Sequence, residues 1–91
     1  MVHLCMANSH LQTLEILEAL SIAETDTATF CARFGVGPAT IKRMIADARL
    51  YGAQVVSVKV GTRHFWRLDN WPQIAKTVTS WLALERARTY L

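Results

Sequence analysis

The residues of this 91-residue chain best able to do chemistry are cationic, and they gather in its middle third. Residues 33–67 hold Arg33, Lys42, Arg43, Arg49, Lys59, Arg63 and Arg67 against Asp47 alone, a net charge of +6. Residues 1–32 have no Lys or Arg and four acids (Glu15, Glu18, Glu24 and Asp26), and residues 68–91 carry +1, so the overall +3 conceals a separation of charge. A local excess of this kind is the electrostatic footprint of a polyanion-binding surface, with a merely solvated basic face as the plainer alternative. Enzyme chemistry finds no footing. No Ser/His/Asp or Cys/His set has a base to go with it, no carboxylates pair, and Gly35-Val36-Gly37 is too short for a phosphate cradle and follows a helical stretch rather than a strand. Cys5 and Cys31 lack C-x-x-C spacing, and His3, Cys5 and His10 fall short of the four ligands structural zinc requires. Neither metal nor cofactor is expected.

These side chains need elements to hold them. Leu14, Leu17 and Leu20, with Ile16 beside them, mark one face of a first helix, and Ser9 with Gln12 fits a capping box at its start. Asp26 is the better N-cap of a second, shorter helix that buries Phe30, Cys31 and Phe34 and stops at Gly35, with Val36 as a buried plug behind it. Gly37-Pro38 opens a third helix. At 100° per residue its Ile41, Met44, Ile45 and Ala48 form a buried stripe, leaving Ala39, Lys42, Arg43 and Ala46 on the far side and Arg49 at the margin. Beyond Gly52 the texture changes: Ala53–Val60 is rich in β-branched residues, Gly61-Thr62 marks a turn, and Arg63–Leu68 is extended again, giving a hairpin that must pack through Val55, Trp66 and Leu68. Asp69-Asn70 then caps a last helix from about Trp71 to Tyr90, with Pro72 in its first turn.

Helices joined through Phe34-Gly35-Val36-Gly37 and followed by a basic hairpin give a winged helix-turn-helix, an α+β (mainly α) fold of three helices, a β-hairpin wing and an additional C-terminal helix. The run Phe30-Cys31-Ala32-Arg33-Phe34-Gly35-Val36-Gly37-Pro38-Ala39-Thr40-Ile41-Lys42-Arg43 resembles the bacterial pattern L-A-x-x-L-G-V-S-x-x-T-I-R-R of DeoR-type regulators and of the DNA-binding domain of the biotin-ligase repressor. Gly52 and Trp66-Arg67-Leu68 stand where that family has a glycine ending the recognition helix and an aromatic-x-Leu closing the wing, so the likeness covers about residues 11–68. Two positions depart from it: Gly37 replaces the serine that caps the recognition helix, and Met44 replaces a frequently acidic residue. The resemblance implies a small prokaryotic transcriptional regulator, a repressor by preference, and gives Thr40 a phosphate contact.

The residues expected on double-stranded DNA are Pro38, Ala39, Thr40, Lys42, Arg43 and Arg49 of the third helix with Lys59, Arg63 and His64 of the hairpin. A helix fits the major groove, where an Arg–guanine contact is worth about 1–3 kcal/mol of discrimination, and four to six such bases give a log-affinity slope on log-salt of roughly −4 to −5. Ile74, Val78, Trp81 and Leu82 are expected to build a homodimer contact on the last helix, in preference to folding back on the first. Competing functions are a module whose third helix binds another protein, and a replication or partition accessory that also binds DNA. A hydrophobic fraction of 52% with 19% charged residues suits one packed domain: a tail over 1–8, the winged helix over 9–68 and the last helix over 69–91. About 20 residues beyond the winged helix leave no room for a ligand pocket of ordinary size, so control would come from concentration or a protein partner. No run approaches the ~18–20 apolar residues of a membrane span, and Met1–Met6 lack the marks of a secretory signal, so a cytoplasmic protein with reduced thiols is expected.

Overall fold

Leu11, Thr13, Leu14, Ile16, Leu17 and Leu20 are all buried in α1 (Ser9–Ile22), an arc too broad for a helix that covers only one side of a core. The helix is therefore central, and later elements pack around it. The computed structural model describes residues 9–89. The expected 1–8 tail, with His3 and Cys5, lies outside the described residues, as does Tyr90. Ser9 is itself helical and so is not the N-cap, which requires extended backbone. Its carbonyl instead accepts the hydroxyl of the fully buried Thr13 at 3.0 Å, satisfying that polar group.

Next come β1 (Thr25–Asp26) and α2 (Thr27–Phe34). Asp26 is extended and its carboxylate accepts from the Thr29 amide at 2.9 Å, the cap read from the sequence. Gly35 closes α2 at φ 66°, a left-handed conformation that side-chain-bearing residues adopt at a cost. Phe30 is fully buried, whereas Cys31, Phe34 and Val36 are half-buried against the core. Gly37 and Pro38 start α3 (Pro38–Leu50), and Gly37 offers no side chain to cap it. Ile41, Met44, Ile45 and Ala48 are the buried residues of α3, the stripe expected from its periodicity.

The hairpin is β2 (Val55–Val60) and β3 (Arg63–Leu68), turning through Gly61-Thr62 with Val60 opposite Arg63. Val55 is buried, with Trp66 and Leu68 packed against the core. The sheet has a third strand that the sequence reading missed: β1 pairs antiparallel with β3, Thr25 opposite Trp66 and Asp26 opposite Phe65, in the order β1-β3-β2. Among the described residues, four helices and a three-stranded antiparallel sheet make an α+β fold, mainly α.

α4 (Trp71–Thr89) corrects two expectations. Asn70 directs its side chain away from the helix, accepting from the Gln54 amide at 2.7 Å and donating to the Gly52 carbonyl at 2.9 Å. It clamps the loop before β2 by pairing backbone groups that have no strand partner there. Val78 and Leu82, expected on a dimer face, are 2% exposed and lie in the chain's own core. α4 packs on α1, where Arg86 reaches Glu18 at 2.8 Å and Glu15 at 3.6 Å. Ile74 is half-buried beside that core, while Trp81 remains 38% and Leu84 62% exposed. No helix among the described residues is long and apolar enough to cross a membrane.

Candidate functional site

Burying one stripe of α3 forces the opposite stripe outward. Pro38, Ala39, Lys42, Arg43 and Ala46 are all exposed, and Thr40 is half-buried in the first turn. Small alanines between two cations leave a face that another surface can approach closely. Arg43 donates to Asp47 at 3.1 Å across one helical turn, an exposed pair of small energetic weight. Lys42 has no carboxylate partner among the described residues.

Arg49 sits differently from the expectation. It is exposed, but its Nε and Nη2 donate to the Val55 carbonyl at 3.1 and 2.9 Å, and its guanidinium lies 5.9 Å from the centre of the Trp66 ring. Those donors join α3 to β2 and are not free for an incoming ligand.

At the far end of the hairpin, Lys59 faces His64 across the strands and both are exposed. Arg63 is also exposed, yet Nη2 donates to Asp26 Oδ2 at 2.6 Å and the guanidinium lies over the Phe65 ring at 5.2 Å. Hydrogen bonding from the Thr29 side chain, then from Arg63 and the Thr29 amide, outweighs burial and holds the Asp26 carboxyl down at about 2. Arg67 is turned onto Asp69, donating from Nε at 2.6 Å and Nη2 at 3.2 Å. This pair lowers the Asp69 carboxyl and raises the Arg67 guanidinium. Folding thus brings Asp26 and Asp69 to the basic segment from outside it and reduces its balance from +6 to +4.

The two basic elements meet across an open cleft of about 620 Å³. Pro38 and Lys42 line it from α3, one turn apart, with Arg63, His64 and Trp66 from β3 and Asp26 from β1. The Trp66 indole donates to the Thr27 hydroxyl at 3.0 Å, which fixes the floor of the cleft to the start of α2. Side chains of opposite charge and an apolar ring suit an anion that also presents an apolar surface.

No family model, curated protein or solved structure matches this chain. Function is accordingly read from these side chains alone. The structure brings Pro38, Ala39, Lys42 and Arg43 onto one face, and draws Lys42, Arg63 and His64 to one cleft, while Arg49 is committed to Val55. Sequence reasoning overlooked Asp26 as a member of this surface. Its cap signal was read correctly, but a carboxylate has two oxygens, and nothing in the sequence shows where the second one points.

His10, the described member of the His3, Cys5 and His10 set, makes its contacts away from the cleft. Its Nδ1 lies 2.5 Å from the Tyr51 hydroxyl and its ring 5.9 Å from Trp81, in an aromatic contact joining α1, the end of α3 and α4. No group of three His, Cys, Asp or Glu that could hold a metal occurs among the described residues.

Proposed function

We propose that this chain is a sequence-specific double-stranded DNA-binding protein of the winged helix-turn-helix kind. In this reading α2 and α3 form the helix-turn-helix, α3 enters the major groove, and the β2–β3 hairpin lies on the adjacent backbone or minor groove as the wing. A small prokaryotic transcriptional regulator, with repression as the simplest mode, is the role this implies. One observation carries the reading: Lys42, on the exposed face of α3 that also holds Arg43, lines the same cleft as Arg63 and His64 of the hairpin. Two elements distant in sequence thereby offer cations to one object, and a helix-wide face flanked by a basic finger matches a duplex in shape as well as charge. Lys42 and Arg43 would read base edges, Thr40 and the start of α3 would meet a phosphate, and Lys59 and His64 would follow the neighbouring strand. Arg49 would act by fixing the angle between helix and hairpin.

Two copies on neighbouring half-sites would meet through Trp81 and Leu84, since Val78 and Leu82 are consumed by packing on α1. Selection from random duplexes tests binding and reads the site in one step. A recovered consensus with strongly salt-dependent binding is the expected result. Recovery of no sequence, with negligible duplex affinity at low salt, would sink the proposal and leave protein recognition by α3 as its successor.

A further inference from the structure

Arg63 and Asp26 form an unequal pair on the surface assigned to DNA. The arginine side chain is 66% exposed and the aspartate 11%, so the arginine is the partner free to move. The carboxylate divides its work between its oxygens: Oδ1 accepts from the Thr29 amide at 2.9 Å and Oδ2 from Arg63 at 2.6 Å. Releasing the arginine therefore leaves the cap of α2 intact. Both residues line the cleft shared with Lys42 and His64, so the arginine lies beside the position a bound anion would take.

We propose that the Asp26–Arg63 pair is a charge latch on the DNA-facing surface, in which Arg63 is held by Asp26 in the free chain and passes to a backbone phosphodiester when a duplex occupies the cleft. This rests on the DNA-binding reading above and adds a control to it. When Arg63 passes to a phosphate the DNA releases a counterion, but the freed Asp26 carboxylate takes up a cation in its place, so the latch removes about one ion from the net release that drives sequence-independent binding. It biases the chain against loose attachment to arbitrary DNA and leaves base reading by α3 untouched. The carboxylate held at about 2 stays charged throughout the physiological range, so the latch does not open by protonation.

The test is D26N, which keeps a cap-competent oxygen while removing the charge, measured by fluorescence anisotropy on a short labelled duplex of arbitrary sequence. D26N leaves no carboxylate to take up a cation, so net release rises by about one ion and the log-affinity slope on log-salt steepens by about 0.9. Referred to 1 M salt, where that term vanishes, the gain over the wild type is about 15-fold at 50 mM and about 4-fold at 200 mM. D26S, a second uncharged cap, should give the same gain, and circular dichroism checks that both variants keep the fold. In an R63A background the gain should disappear, because it acts through Arg63. Equal or weaker binding by D26N and D26S, or a gain that persists without Arg63, overturns the latch alone. Absence of duplex binding by the wild-type chain at low salt overturns the DNA-binding reading itself, and the latch with it.

Discussion

Replacing Arg43 by alanine separates a recognition role from a structural one with little ambiguity. In the free chain its Nη1 bonds Asp47 at 3.1 Å, with 46% and 36% of the two side chains exposed. Exposed pairs at this spacing contribute about 0.3–0.5 kcal/mol, so breaking this one to reach DNA is cheap. A guanine contact by the freed guanidinium provides about 1–3 kcal/mol of discrimination. The net loss on the selected duplex is then about 0.5–2.7 kcal/mol, or roughly two- to a hundredfold in Kd at ~1.4 kcal/mol per tenfold. The folded state should lose no more than about 0.5 kcal/mol, which is a fall in Tm of about 2–4 °C for a chain of this size. Anisotropy titration against the selected site, a scrambled duplex and a thermal melt measure the three quantities. Unchanged affinity for the selected site would refute the assignment of this face. A large fall in Tm would show that the residue works within the fold instead.

Acid unfolding should contain a step from Asp26. Its folded carboxyl is depressed to about 2, so the stability it contributes is complete above the ordinary carboxylate range and is lost as pH falls from about 4 toward 2. D26N melts followed across that range should show a flatter dependence, and identical curves would contradict the cap and the ion pair together. Asn70→Ala removes the hydrogen bonds to the Gln54 amide and the Gly52 carbonyl, and should cost about 0.5–1.5 kcal/mol for each bond lost. Chemical denaturation reads that loss, and a change below 0.5 kcal/mol would mean that water replaces the clamp. Leu84→Glu should leave the Tm nearly unchanged, because the side chain is 62% exposed, yet convert a dimer to monomer in sedimentation at tens of micromolar. A wild-type chain already monomeric there would remove the proposed pairing through α4.

Local signals were the legible ones. Asp26 as a cap, Gly35 as a left-handed stop, Pro38 at the first turn of α3 and the Gly61-Thr62 turn each act within a few residues, and each stands where the sequence put it. The four-residue stripe of α3 was legible for the same reason, since it depends only on helix periodicity. Long-range pairing was not. β1 is two residues long, too short for any alternation, and exists because β3 offers an unpaired edge to Thr25 and Asp26. Asn70 carries a strong capping propensity, but two backbone groups in the loop at Gly52–Gln54 take its side chain instead of the helix. Arg49 read as a margin cation because helix geometry fixes direction and not partner; the Val55 carbonyl lies six residues away in sequence, across a reversal of the chain. The last helix carried an apolar side that suits a neighbouring copy as well as α1, and periodicity gives no means of choosing between them.

The forked contact from Arg49 to Val55 also has a mechanical meaning. Two hydrogen bonds from one planar group converge on a single carbonyl oxygen and resist separation of helix and strand, and the Trp66 ring supports that group from the second strand. Helix and hairpin are thereby tied together beside the cleft. Whatever rests against both feels a jaw of fixed opening, so a change in spacing between the features it grips has to be met by the guest bending rather than by the host yielding.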